Sequence, residues 1–160
     1  MKNLMVIALL MVSSFSFAQT GVKEDIAVIQ SLYGKSKQEL VSAYMNLKEP
    51  QASTFSKVYD AYEAERKALG QKRMGLIADY AKNYETLSDE KAEELAKATL
   101  KNNIAYENLY LKYFGKAKSI IGGVNAAKFI QLETALQTAI RSEVQDQIPF
   151  IGEIDRTKKH

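Results

Sequence analysis

Residues 50–87, PQASTFSKVYDAYEAERKALGQKRMGLIADYAKNYETL, set Phe55, Tyr59, Tyr62, Leu69, Leu76, Tyr80 and Leu87 at intervals built from three and four. An α-helix gathers residues so spaced onto one stripe, and a stripe this apolar must be buried against something. Pro50 stands where a first helical turn tolerates it, because the missing N–H has no intrahelical partner there anyway. The pattern predicts one helix from 50 to about 86, a rod of roughly 50 Å at 1.5 Å per residue. Gly70 and Gly75 fall in its middle, each costing about 1 kcal/mol against Ala. A bend, or a close approach to the backbone, is the expectation there.

The rest of the chain reads the same way. Pro occurs only at positions 50 and 149, and strand-like alternation is nowhere sustained. Ala, Leu, Lys, Glu and Gln dominate, the residues that lose least on entering a helix. A first helix is expected over about 23–46, with Ile26, Ile29, Leu32, Leu40 and Tyr44 near one face and Gly34 as a kink or split. Ser88 suits the N-cap of a third helix, with Asp89 and Glu90 in its first turn. Its stripe is Leu95, Tyr106, Leu109, Tyr113 and Ile120, and Gly122-Gly123 stops it. Asn125 is expected to cap a fourth helix, Val124 to staple onto Phe129, and Leu132, Leu136, Ile140, Val144 and Ile148 to line its inner face up to Pro149. Short connections favour antiparallel neighbours. The expected fold is all-α: about four long antiparallel helices forming a bundle or cradle.

Ahead of these helices the chain begins with Lys2, an apolar run from Leu4 to Val12, and Ser16 and Ala18 three and one residues before Gln19. A positive start, a short apolar core and a small-residue cutting site are the layout of a secretory signal. The apolar span is too short for a comfortable membrane helix, and Ser13, Ser14 and Ser16 interrupt its end. Residues 1–18 therefore read as a signal peptide cleaved after Ala18, 19–152 as one helical domain, and 153–160 as a flexible polar tail. The expected product is soluble and periplasmic, its about 140 residues enough for a real core.

Composition narrows the function. There is no Cys, and the one His is the terminal His160. A transition-metal site needs several nitrogen or sulfur ligands converging on one point, and triad catalysis needs a base. Neighbouring carboxylates such as Glu63/Glu65 and Glu93/Glu94 do not face one another on a helix. No glycine-rich phosphate loop is present. The reading is a non-enzyme with no metal and no cofactor. A net charge of +3, one unit of it from Lys2, is too weak a balance to argue for nucleic acid.

Two features remain for function. Tyr59, Tyr62, Tyr80, Tyr84, Tyr106, Tyr110 and Tyr113 all fall in the two long helices, as core rings or as an aromatic surface for another protein. Continuing the heptad through Tyr59 and Tyr80 sets Arg66 and Arg73 on the apolar seam, where charge is costly unless paired. Either they pair across to Glu133, beside the stripe of the fourth helix, or this part of the helix is open. In the open case Tyr62, Arg66, Lys67, Leu69, Lys72, Arg73, Met74 and Leu76 form a mixed basic and apolar binding surface.

Leu47-Lys-Glu-Pro-Gln51 and Leu87-Ser-Asp-Glu-Lys91, each opening a long helix, resemble the Leu-Thr-x-x-Gln motif of the Spy/CpxP family of periplasmic stress proteins. Lys48 stands for Thr in the first copy; Ser88 keeps the hydroxyl and Lys91 stands for Gln in the second. Ile121-Gly-Gly-Val-Asn125 and the preceding Tyr113-Phe-Gly-Lys-Ala-Lys-Ser-Ile-Ile121 are similar in pattern to the family's C-terminal region. The resemblance runs from Val41 to Gln147. It implies an all-α, often dimeric, cradle-like protein that acts as an ATP-independent chaperone for unfolded clients. The alternative it implies is an accessory protein that docks onto an envelope stress sensor in the membrane.

Overall fold

The computed structural model describes residues 34–146 together with Ile29, Leu32, Ile148 and Ile151. The expected signal peptide, most of the first expected helix before Gly34, Pro149 and the polar tail over 153–160 lie outside the described residues. The described chain is all-α, with no strand. It comprises α1 (Lys37–Met45), α2 (Gln51–Asn83), a 3₁₀ turn over Tyr84–Thr86 and α3 (Asp89–Gln145).

Local chemistry sets each boundary. Gly34 takes φ +64°, a left-handed conformation that glycine adopts without strain, so it splits the first expected helix rather than bending it. Ser36 then starts α1 with a capping box. Its Oγ accepts from the Glu39 N–H at 3.3 Å, and its own N–H donates to Glu39 Oε2 at 2.9 Å. Pro50 has no capping side chain, and Glu49 supplies one instead, accepting from the backbone and hydroxyl of Ser53 at the head of α2. Helix α2 runs through Gly70 and Gly75 without interruption, and a Cβ at Gly75 would meet open space. Ser88 caps α3 as expected, its Oγ accepting from the Lys91 N–H at 3.3 Å, with Asp89 and Glu90 in the first turn.

The expected stop at Gly122-Gly123 resolves to one residue. Gly122 has φ 77° and ψ 166°, outside any helix, while Gly123 is already helical again. Helix α3 is thus two arms, 89–121 and 123–145, and the expected fourth helix is the second arm. Asn125 donates its Nδ2 back to the Ile121 carbonyl at 3.1 Å instead of capping. Val124, 85% exposed, makes no staple onto buried Phe129.

Contacts climb α2 as they descend the first arm. Gln51 Nε2 donates to the Ile120 carbonyl, Glu65 meets Lys112, the Leu69 carbonyl accepts from Asn102, and Asp79 meets Lys91. Beyond Gly122 the numbering rises with α2: Phe129 packs on Phe55, and Glu133 meets Tyr62. The core lies where all three segments converge. Phe129 takes edge-on contacts from Phe55 at 5.2 Å and Tyr62 at 5.3 Å, and Tyr62 meets Tyr113 at 5.4 Å. Such arrangements set ring edges on ring faces and add to the burial of large apolar area. Fully buried Ala117 and Ala126 let the two arms approach near the hinge.

The hinge makes a paired prediction. No neighbour lies within 4 Å of a Cβ added at either glycine, so only backbone conformation decides the outcome. Gly122→Ala should cost about 1–3 kcal/mol, the strain of a side chain in a glycine-only region. Gly123→Ala should raise stability by up to about 1 kcal/mol, the gain of Ala over Gly in a helix. Urea midpoints of the two variants should move in opposite directions.

Candidate functional site

Arg66, one of the two seam arginines, is 3% exposed, and it belongs to a cluster of charges. Its Nε donates to Glu63 Oε1 at 2.8 Å, one turn back on α2. The same Glu63 oxygen receives Lys37 Nζ at 2.5 Å, and Lys37 reaches on to Glu133 Oε2 at 2.6 Å. Tyr62 donates its hydroxyl to that Glu133 oxygen at 2.7 Å. Lys37 Nζ also lies 5.4 Å from the centroid of the Tyr62 ring, within cation–π reach.

Glu133 is 1% exposed, and its partners are Lys37 and Tyr62 rather than the arginines. The reason is the turn at Gly34 and the cap at Ser36. They bring the first residue of α1 over the seam between α2 and the second arm, so a cation from a third element neutralises both carboxylates. Burial raises the Glu63 carboxyl, but Lys37 and Arg66 more than offset this and hold it below the ordinary glutamate value. Burial first, and then the Glu133 carboxylate, push the Tyr62 hydroxyl far up, so it remains a donor. Among the described residues, two cations face two anions in a nearly dry place. This cluster fastens α1 to α2 and α3, and it exposes no nucleophile to a substrate.

The expected binding surface on α2 is therefore divided. Tyr62 and Arg66 belong to the core. Leu69, Arg73, Met74 and Leu76 are half-buried, and only Lys67 and Lys72 are fully on the surface. Tyr59, Tyr106, Tyr110 and Tyr113 are likewise buried, Tyr80 is half-buried and Tyr84 exposed. The tyrosines make a core, not an aromatic surface.

Exposed apolar area lies instead on the first arm of α3. Leu100, Ile104 and Leu111 are 61%, 60% and 71% exposed. At about 100° per residue they share one narrow arc, opposite the buried arc of Leu95, Asn102, Tyr106, Leu109 and Tyr113. The sequence between 95 and 113 holds two apolar stripes at helical spacing, and a reading that stops at the first misses the second. Exposed Lys97 and Lys101 lie beside it, Lys97 paired with Glu93.

A cleft of about 430 Å³ opens between α2 and the two arms, lined by Leu76, Tyr80, Leu95, Leu100, Ile148 and Ile151, with Arg73 as the one cation among its described lining residues. Among the described residues, no group of three or more His, Cys, Asp or Glu could hold a metal ion. No described helix is long and apolar enough to cross a membrane. No protein-family model matches the chain, and comparisons with curated proteins and with solved structures find no match.

The charge cluster makes two predictions. Glu133→Ala leaves Lys37 short of a partner in a buried place, and stability should fall by about 3–5 kcal/mol, read from urea unfolding. Glu63, with its carboxyl depressed in the folded state, contributes stability that is complete above the ordinary glutamate value of 4.5. That contribution is lost as pH falls through the folded value. Glu63→Gln should therefore be destabilised relative to the parent near neutral pH, and the difference should shrink in acid.

Proposed function

We propose that this chain is an exported, ATP-independent holdase that binds unfolded envelope proteins in the periplasm, folded as an up-and-down helical bundle. The observation that carries this reading is the second apolar stripe of α3. Leu100, Ile104 and Leu111 are aliphatic, aligned and open to water. Monomeric soluble proteins rarely leave such residues aligned without a partner. Ile104 and Leu111 of the stripe line no described pocket, and an open helix face suits contact with many sequences better than with one. Surface lysines at 67, 72, 97 and 101 add long-range attraction for acidic chains. The two motif-like segments fit the resemblance to the Spy/CpxP family, since 47–51 leads into α2 and 87–91 into α3.

The test is aggregation of several unrelated unfolded clients with the mature protein at near-stoichiometric amounts. The parent should delay aggregation of more than one client. Ile104→Ser with Leu111→Ser removes two apolar contacts, and about tenfold or more protein should then be needed. Stability should hold within about 0.5 kcal/mol, as for surface changes. Lys67→Glu with Lys72→Glu should slow capture and lower its salt sensitivity. Failure with every client would remove the holdase reading. One tight partner would turn it toward docking on a single envelope sensor.

A further inference from the structure

Two arginines in this structure lack what the other buried cations have. Lys37 and Arg66 meet carboxylates, but among the described residues neither Arg73 nor Arg141 makes an ion pair. Arg73 has a long contact of 3.4 Å to Asn103 Oδ1. Arg141 lies over the Tyr106 ring, its guanidinium carbon 5.0 Å from the centroid, with Nε and Nη2 buried and without an acceptor. Burial, and then the nearby charge of Arg141, hold the Arg73 guanidinium below its ordinary value. Two cations close together, partly dehydrated and without a counter-ion among the described residues, form a place that an outside anion would stabilise.

The surroundings specify what kind of anion. Among the described residues, Arg73 is the sole charged one lining the 430 Å³ cleft, and the other described walls are almost entirely apolar. Cross-helix contacts put Leu69 beside Asn102 and Asp79 beside Lys91. Arg73 thus stands level with Thr99 and Leu100, at one end of the cleft. Leu87, Ala92 and Ile151 mark the other end. Tyr80 is seven residues farther along α2, about 10 Å at 1.5 Å per residue, and the cleft continues past it. A small hydrophilic anion would leave these walls wet, and a neutral apolar molecule would leave Arg73 unmet.

We propose that this cleft binds a single-chain anionic amphiphile of the fatty-acid type. Its carboxylate rests on Arg73, with Arg141 behind as a second positive charge, and its alkyl chain lies along Leu76, Tyr80, Leu95, Ile148 and Ile151. The guanidinium fork matches a carboxylate in two parallel hydrogen bonds. The volume falls within the range of small-molecule sites. This inference does not rest on the holdase reading. It concerns the cleft rather than the exposed stripe, and Leu100 alone borders both.

The experiment titrates the full chain with laurate below its micelle-forming concentration by calorimetry, with dodecanol and acetate as competitors. One laurate should bind per chain, with dodecanol and acetate at least about tenfold weaker. Arg73→Gln removes the charge and should weaken laurate about tenfold. Arg73→Lys should recover part of the loss, because charge returns without the fork. Exposed Ile151→Ser should weaken laurate severalfold without unfolding the chain, and it decides the matter if the arginine variants do not fold. Circular dichroism melts of each variant provide the folding control. Absence of saturable binding, equal affinity for dodecanol, or an unchanged affinity in Arg73→Gln would each overturn the proposal. So would an acidic apolar peptide that outcompetes laurate, since the cleft would then belong to protein clients.

Discussion

The ammonium of Lys37 stands between two carboxylates from two other segments, Glu63 on α2 and Glu133 on the second arm of α3. It gives both carboxylates a common cation, and Tyr62 spends its hydroxyl on the same Glu133 oxygen. A buried ion pair seldom adds much net stability over apolar packing, yet losing one member is expensive because the other is stranded. The contact therefore acts as a constraint on arrangement. It requires α1, α2 and the second arm to meet at one level, and the aromatic rings of Phe55, Tyr59, Tyr62, Tyr113 and Phe129 fill the space around it.

The hinge at Gly122 is what lets the second arm reach that level. With a helical residue there, α3 would run straight on for 57 residues, a rod of roughly 85 Å at 1.5 Å per residue, and Glu133 would lie far from Lys37. A single left-handed residue reverses the path while the fully buried Ala117 and Ala126 keep the arms close. The same reversal carries Arg141 onto Tyr106 and beside Arg73. One glycine thus assembles both the compensated charge cluster and the uncompensated one.

Much of this was legible in the residues, because it depends on local rules. The 3.6-residue stripe of 55–62, the Ser88 cap and the glycine break after Ile121 each follow from a few neighbouring positions. Arg66 was recognisable as an anomaly, since a charge on an apolar seam must be answered. Its described partner was not legible: Glu63 answers it from one turn back, and Lys37, which meets the same Glu63 oxygen, sits in what reads as a weak stretch of helix until Gly34 and Ser36 are seen to start a new one. Asn125 and Val124 show the converse error. Both are good starting residues for a helix, but with Gly123 already helical Asn125 lies inside the second arm and bonds back to the Ile121 carbonyl, while Val124 faces solvent. Leu100, Ile104 and Leu111 were hidden for a different reason. Between 95 and 113 nearly every face of the helix carries apolar residues, so periodicity alone cannot say which stripe is inside.

The first arm of α3 consequently does three jobs around its circumference. One side holds Asn102, Tyr106, Leu109 and Tyr113 in the core. The opposite side leaves Leu100, Ile104 and Leu111 in water, and between them Ala92, Ala96 and Thr99, flanked by Leu95 and Leu100, form a wall of the cleft that ends at Arg73. The chain has acids to spare on its surface, with Glu93, Glu94 and Glu107 all exposed on this arm. None of them is turned to neutralise Arg73 or Arg141. Where the core contains a charge that serves the fold, as at Lys37, the opposite charge is built in from another helix. Among the described residues, the missing counter-charge beside Arg73 is thus a local departure from the pairing seen at Lys37 and Arg66. Such departures are where function is to be sought, because a fold selected for stability alone would lose nothing by filling the cleft with one more leucine.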